Sequence, residues 1–205
     1  MKSMKGNLSD LARRAIASGL LISIGCKVYL MTGWFFGAFL FSIALLCIVR
    51  YGLPLYTGKA GYKTPYSELI YILLFNMLGV LAGSVCFGSM LPLEVIESRF
   101  IPSLPLIFKA MGCGALMYLA VDLKEHPYVT IMAVMTFIMA GFEHSIADIA
   151  YIGTQLLNFP AAILLIIFGN LIGAKLMRIL SEKSTIPESN QCCTSAISPT
   201  GKDPS

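Results

Sequence analysis

The sequence predicts an all-α membrane protein of six transmembrane helices, folded as two inverted three-helix repeats in which the second and fifth helices are broken. Three observations predict it. Of 205 residues, 57% are hydrophobic and only 13% charged, and the mean hydropathy of +0.77 is too high for a soluble domain of this size. A bilayer is crossed by roughly 20 apolar residues, and six apolar runs near that length follow one another. The pattern Asn76-Met77-Leu78-Gly79 in the third run returns as Asn170-Leu171-Ile172-Gly173 in the sixth. Three spans separate the two, and an odd number of spans per repeat gives the halves opposite orientation.

Residues 1–14, with Lys2, Lys5, Arg13 and Arg14, read as a cytoplasmic amino-terminal segment. The run from Ala15 to Met31 is too long for a signal-peptide core and lacks a clean small-residue cleavage site, so it reads as the first transmembrane helix. Gly33 turns the chain into a second run, Trp34 to about Tyr56, and a third, Tyr66 to Met90, follows the turn around Gly61 and Pro65. The fourth covers Leu104 to Val121 and is closed by the polar stretch from Asp122 to Pro127. The fifth runs from Tyr128 to about Phe142, and the sixth from Phe159 to Ile179. Residues 15–180 thus form one six-helix transmembrane domain. Residues 181–205, rich in Ser, Thr, Pro and Lys, carry too little apolar surface to fold and read as a disordered cytoplasmic tail.

Lysine and arginine in short loops mark the cytoplasmic side. With the amino terminus inside, that side collects Lys2, Lys5, Arg13, Arg14, Lys59, Lys63, Lys124, Lys175, Arg178 and Lys183, against Lys27, Arg99 and Lys109 outside. Both termini are therefore expected in the cytoplasm, with the protein in the cytoplasmic (inner) membrane, its partner being the lipid bilayer. Six spans leave no room for a soluble catalytic domain, and a net charge of +4 is spread too thinly for a nucleic-acid footprint, so no nucleic-acid partner is expected. Cys26, Cys47, Cys86 and Cys113 stand singly in apolar runs, and no CxxC or HxxxH spacing occurs. No metal and no cofactor is expected. Cys192 and Cys193 lie together in the tail, where lipidation is the alternative to no role.

The two breaks carry the functional expectation. Gly52-Leu53-Pro54-Leu55-Tyr56-Thr57-Gly58-Lys59 places a proline and two glycines in an apolar run, where proline removes a backbone donor and glycine tolerates non-helical angles. Gly141-Phe142-Glu143-His144-Ser145-Ile146-Ala147-Asp148 inserts two acids and a histidine at the corresponding place of the second half. Irregular backbone at membrane depth persists only where protein or a water-filled cavity satisfies it, so paired breaks point to a central permeation site. The competing reading makes one or both ordinary surface loops. Gly33 and Gly37, Gly79 and Gly83, and Gly169 and Gly173 each form GxxxG, which predicts tight helix packing within or between subunits.

At Ala140-Gly141-Phe142-Glu143-His144-Ser145-Ile146-Ala147 the sequence resembles the formate/nitrite transporter family, whose fifth helix carries a GFEHS-[IV]-AN motif. Leu55-Tyr56-Thr57-Gly58 is similar to that family's LFTG loop, and Gly169-Asn170-Leu171-Ile172-Gly173 to its GN-x-x-G, in the family's order across about residues 10–180. The resemblance implies an aquaporin-like protomer, a homo-oligomer that is a pentamer, and in each protomer a pore for a small anionic substrate such as formate, nitrite or hydrosulfide. It places His144 and Thr57 at the pore centre, Leu45, Tyr56 and Phe41 at the cytoplasmic constriction and Phe137 at the outer one. Glu143, Gly58, Lys59, Asn170 and Asp148 fall in the supporting loops, with Glu143 expected to hold loop amides. For each apolar residue, plain core packing is the alternative. Pro54, Lys59, Gly114 and Asp148 depart from the family's glutamate and asparagines, and they bear on substrate identity more than on fold.

The implied chemistry is transient protonation of the anion at His144. A bare anion in an apolar constriction costs far more than thermal energy, whereas its neutral acid passes. Imidazole titrates near physiological pH and suits the proton exchange. Two other classes compete with this expectation. One is an aquaporin-like channel for neutral solutes without proton transfer. The other is a membrane enzyme using Glu143 and His144 as acid and base, disfavoured because no nucleophile or cofactor motif accompanies them, so the protein is expected not to be an enzyme.

Overall fold

A computed structural model describes residues 3–182, so the carboxy-terminal segment with Lys183, Cys192 and Cys193 lies outside the described residues. The chain forms α1 (Ser3–Thr32), α2 (Trp34–Arg50), α3 (Tyr56–Lys59), α4 (Tyr66–Phe87), α5 (Leu93–Arg99), α6 (Leu104–Asp122), α7 (Pro127–Met139), α8 (Ser145–Ile152) and α9 (Pro160–Ser181), with a 3₁₀ turn at Gly153–Asn158. Leu8–Thr32 of α1, together with α4, α6 and α9, are long and apolar enough to cross a membrane, while α2 and α7 are shorter apolar helices. The protein is a multi-pass integral membrane protein. Large apolar side chains stand exposed along the bundle, among them Ile24, Leu74, Leu78, Phe108, Leu164 and Phe168, as a surface facing lipid or another subunit requires.

The two halves repeat one another down to single hydrogen bonds. At the end of α2, the N–H groups of Tyr51, Gly52 and Leu53 donate to Cys47, Val49 and Ile48 carbonyls at 2.9, 3.1 and 2.9 Å. At the end of α7, those of Ala140, Gly141 and Phe142 donate to Thr136, Ile138 and Phe137 at the same three distances. Gly52 and Gly141 take φ of 61° and 65°, the left-handed residue that ends a helix and reverses the chain. Each chain then turns back into the protein and starts a new helix, α3 or α8. The breaks are thus re-entrant and not surface loops, because Thr57, Glu143 and His144 beyond them are all buried.

Outside the broken helices, α1 packs along α4 and α6 along α9. These pairs come close because glycine stands where any side chain would strike a backbone: Gly79 against the Ile16 carbonyl of α1, and Gly173 against the Met111 carbonyl of α6. Gly83 and Gly169 serve the same two seams against Ser23 and Ala110. The later two GxxxG pairs therefore act within the protomer. Gly37 packs on Tyr29 across the turn between α1 and α2, and Gly33 faces open space.

Two boundaries differ from the sequence expectation. The first helix begins at Ser3, so residues 3–14 are helical and run continuously into the first span. Arg13 and Arg14 pair with Asp10 at 2.6 and 4.0 Å, the i,i+3 and i,i+4 contacts that favour a helix. Between the third and fourth spans no helix is expected, yet α5 forms there. Pro92 precedes it, Glu94 sits in its first turn and Arg99 in its last, an arrangement that suits the helix dipole, and seven residues are too few to register as a span.

Hydrogen bonds define two ends of the bundle. Arg14 donates to the Tyr51 and Gly52 carbonyls, Tyr62 to Asp122 and Arg178 to the Gly61 carbonyl, gathering the end that holds the start of α1 and the end of α9. We call this the terminal end. Lys27 donates to the Gly88 carbonyl at the opposite, far end, where α5 lies.

Candidate functional site

The two breaks are held by one asparagine each. Asn76 on α4 accepts from the Tyr56 N–H at 2.8 Å and donates to the Ala15 and Pro54 carbonyls at 2.8 and 3.0 Å. Asn170 on α9 accepts from the Ser145 N–H at 2.9 Å and donates to the Ala110 and Glu143 carbonyls at 2.8 and 2.9 Å. Each amide uses both its donors and its acceptor on backbone that would otherwise be buried unpaired. The residue clasped between Pro54 and Tyr56 is Leu55. Its counterpart between Glu143 and Ser145 is His144, so the repeat is symmetric in backbone and asymmetric in chemistry.

His144 is 2% exposed and caps α8. Its Nδ1 accepts from the Ala147 N–H at 3.2 Å, and its Nε2 lies 2.9 Å from Thr57 Oγ1. Because an N–H can only donate to Nδ1, that nitrogen carries no proton, and the neutral ring has its proton on Nε2, directed to the Thr57 hydroxyl. Thr57, fully buried on α3, joins the two halves through this bond. The Phe137 ring stacks on the imidazole with centroids 5.5 Å apart, and Phe41 meets Phe137 edge-on at 6.3 Å.

Two cavities flank this centre. The far one, about 290 Å³, is lined by Tyr29, Phe41, Arg99, Lys109, Phe137, Glu143, His144, Asp148 and Tyr151. The terminal one, about 120 Å³, is lined by Leu45, Ile48, Leu55, Gly58, Lys59, Val121 and Lys124. Leu45 and Lys59 line this terminal cavity. Phe41 does not. It lies one turn before Leu45 on α2, which runs toward the terminal end, so it reaches the far cavity and joins Phe137. Tyr56 is also displaced, since its hydroxyl donates to the Ile167 carbonyl at 3.0 Å and its ring leans on α9. Leu55, with the extended backbone of φ −120° and ψ 132°, points the other way and takes its place beside Leu45.

Glu143 does not hold loop amides with its carboxylate; only its backbone carbonyl serves the loop. The side chain accepts from Arg99 Nη2 at 2.6 Å and Nε at 3.2 Å, and Arg99 Nη2 also lies 3.1 Å from Asp148 Oδ1. Both carboxylates are buried, at 3% and 1% side-chain exposure, while Arg99 is about a third exposed. The guanidinium also sits 5.2 Å over the Phe100 ring and 5.5 Å over the Tyr151 ring. This helix-α5 arginine over the far cavity was missed by sequence reasoning, as were Asn76 and Leu55. For Asn76 the repeated Asn-x-x-Gly was the available sign.

No family model and no curated protein matches the chain in sequence. Among solved structures, a pentameric formate channel with formate bound is similar at a TM-score of 0.66, covering 87% of this chain and 95% of that one, with 14% of residues identical. At that identity the likeness concerns the path of the backbone. The chain has the fold of that channel, a six-span all-helical bundle whose two broken helices meet at its centre.

Proposed function

We propose that the protein is a membrane channel or transporter for small monovalent weak-acid anions of the formate, nitrite and hydrosulfide class, and that it works as a pentamer with one pore per protomer, resembling the formate channel whose fold it shares. The observation that carries the reading is the buried His144–Thr57 pair, set between a cavity bounded by Phe41 and Phe137 and another bounded by Leu45 and Leu55. Lys59 and Lys124 at the terminal cavity, and Lys109 at the far one, whose Arg99 is spent on Glu143 and Asp148, give each mouth a charge that attracts anions. The positive start of α8 points at the centre. The apolar pairs exclude the charged form and pass the neutral acid.

The proton transfer belongs to His144. When Nδ1 takes a proton it gives up its bond with Ala147, and the ring becomes an imidazolium. Nε2–H then passes its proton to the anion beside Thr57, the N–H bond breaking as the acid O–H or S–H bond forms, and the neutral acid leaves past the apolar pair. A second reading, a neutral-solute channel in which the ring only donates a fixed hydrogen bond, is favoured by the Nδ1 cap itself.

Uptake of labelled formate into liposomes at several pH values separates the two. We expect flux that rises as pH falls in the wild type, and in His144→Asn a flattened profile with flux at acidic pH lower by roughly tenfold, or ~1.4 kcal/mol of barrier. A wild-type profile in His144→Asn would overturn the proton role. Intact-complex mass in mild detergent is expected to give five copies; monomers alone would overturn the assembly. Orientation belongs to the proposal as well. With lysine and arginine concentrated at the terminal end, both termini face the cytoplasm of an inner membrane.

A further inference from the structure

We propose that Asp148 holds a proton in the resting protein and resupplies His144 with it from the far cavity, a positioning of the proton source that rests on the anion-channel reading and deepens it. The argument starts from a count of charges. One guanidinium, Arg99, serves two buried carboxylates, Glu143 and Asp148. If both were ionised, the cluster would hold a net negative charge away from water, which is the arrangement that buried sites avoid by binding a proton. Glu143 faces Arg99 with two of the guanidinium nitrogens, whereas Asp148 has one contact through Oδ1. Its other oxygen, Oδ2, is buried and has no hydrogen-bond partner among the described residues, although the residue lines the cavity. An orphaned carboxylate oxygen that lines an accessible cavity is a protonation site; an ionised one would leave its charge uncompensated.

Among the described residues the surroundings offer no other neutralising group. From α5 comes Arg99. On α6, Lys109 lines the cavity but is exposed and makes no ion pair with either acid, and Cys113 is a buried thiol. Cys26 on α1 spends its thiol on the Ala147 carbonyl, and Tyr151 on α8 is a neutral phenol. The one acid of α4, Glu68, lies at the other end of that helix. His144 cannot be the store, because its neutral ring accepts at Nδ1 and already commits Nε2–H to Thr57.

In the step this implies, the Asp148 O–H bond breaks and its proton passes, directly or through water in the shared cavity, to Nδ1 of His144. Asp148 is left as a carboxylate beside Arg99. The imidazolium then gives its Nε2 proton to the anion and is left protonated on Nδ1; water in the cavity takes that proton and returns one to Nε2, restoring the resting tautomer, and Asp148 regains a proton from solution at the far end. The sum is one proton and one anion in, one neutral acid out.

Infrared spectroscopy of the lipid-reconstituted wild type at neutral pH tests this. We expect the carbonyl stretch of a buried carboxylic acid, shifted down when aspartate is labelled with ¹³C at its side-chain carboxyl, and lost in Asp148→Asn. The label needs no variant, so a poorly folding Asp148→Asn does not cost the test. Absence of the band, or a band indifferent to labelled aspartate, overturns the proposal. Formate flux on the same vesicles keeps the two readings apart. The band without flux in the wild type would remove the channel reading and leave the stored proton. Flux without the band would do the reverse.

Discussion

Arg99→Gln is expected to lower the stability of the detergent-solubilised protein by about 3 kcal/mol, the lower end of the range for breaking a buried ion pair because a third of this arginine is solvated. Glutamine fills much of the same space, so the loss comes from the acids left behind. Glu143 then keeps a buried charge with no counter-ion, beside Asp148. Replacing all three groups together, as Arg99→Gln with Glu143→Gln and Asp148→Asn, is expected to restore most of the loss, since a neutral hydrogen-bonded set carries no Coulombic debt. Thermal unfolding followed by intrinsic fluorescence reads both variants. A single variant with the wild-type midpoint would show that α5 is held by packing and not by charge. Such a result would remove the ion pair from the account of the far mouth.

Phe41→Ala with Phe137→Ala is expected to change what crosses the membrane. If the two rings form a dry constriction, their removal admits hydrated ions that have no neutral form at neutral pH. Chloride and nitrate leakage into liposomes should then rise more than formate flux, because formate already has its route as the acid. The same outcome is expected at the terminal side for Leu45→Ala with Leu55→Ala. Were these residues only core, each truncation would cost about 2 to 5 kcal/mol of stability with no change in selectivity. The ratio of chloride to formate flux decides between them. An unchanged ratio in a folded double variant would overturn the gate assignment.

The bundle was legible because bilayer crossing needs long apolar runs and these are visible in composition alone. All six runs have their helices, and the broken second and fifth are where proline, glycine and charge interrupt them. At the centre, the family resemblance set His144 and Thr57 facing one another, and Thr57 Oγ1 lies 2.9 Å from His144 Nε2. What escaped were directions and distant partners. Phe41 reaches the far cavity because it lies one turn before Leu45 on α2, and Tyr56 lines neither cavity because, within a re-entrant loop, adjacent residues face opposite ways. Leu55, not Tyr56, lines the terminal cavity for that reason. Arg99 escaped because a pairing across 44 positions in sequence leaves no periodic trace, and a short helix in a loop carries no hydropathy signature. Residues 3–14 continue the first helix because local i,i+4 pairing, not hydropathy, extends it.

The asparagine clasps on the two breaks also set how fast the pore is able to work. Asn76 and Asn170 tie the re-entrant backbone to helices that are themselves close-packed along glycine seams, so backbone movement at the centre is opposed on both sides. Movement at the centre is then left to side chains: the swing of two phenyl rings, two leucines and a threonine hydroxyl. Motions of that size belong to picoseconds and nanoseconds, whereas rocking of whole bundles takes microseconds to milliseconds. On the anion-channel reading proposed above, turnover is then governed by shedding the hydration shell and exchanging a proton, and throughput scales as that of a pore and not of a machine that must reset between cargoes.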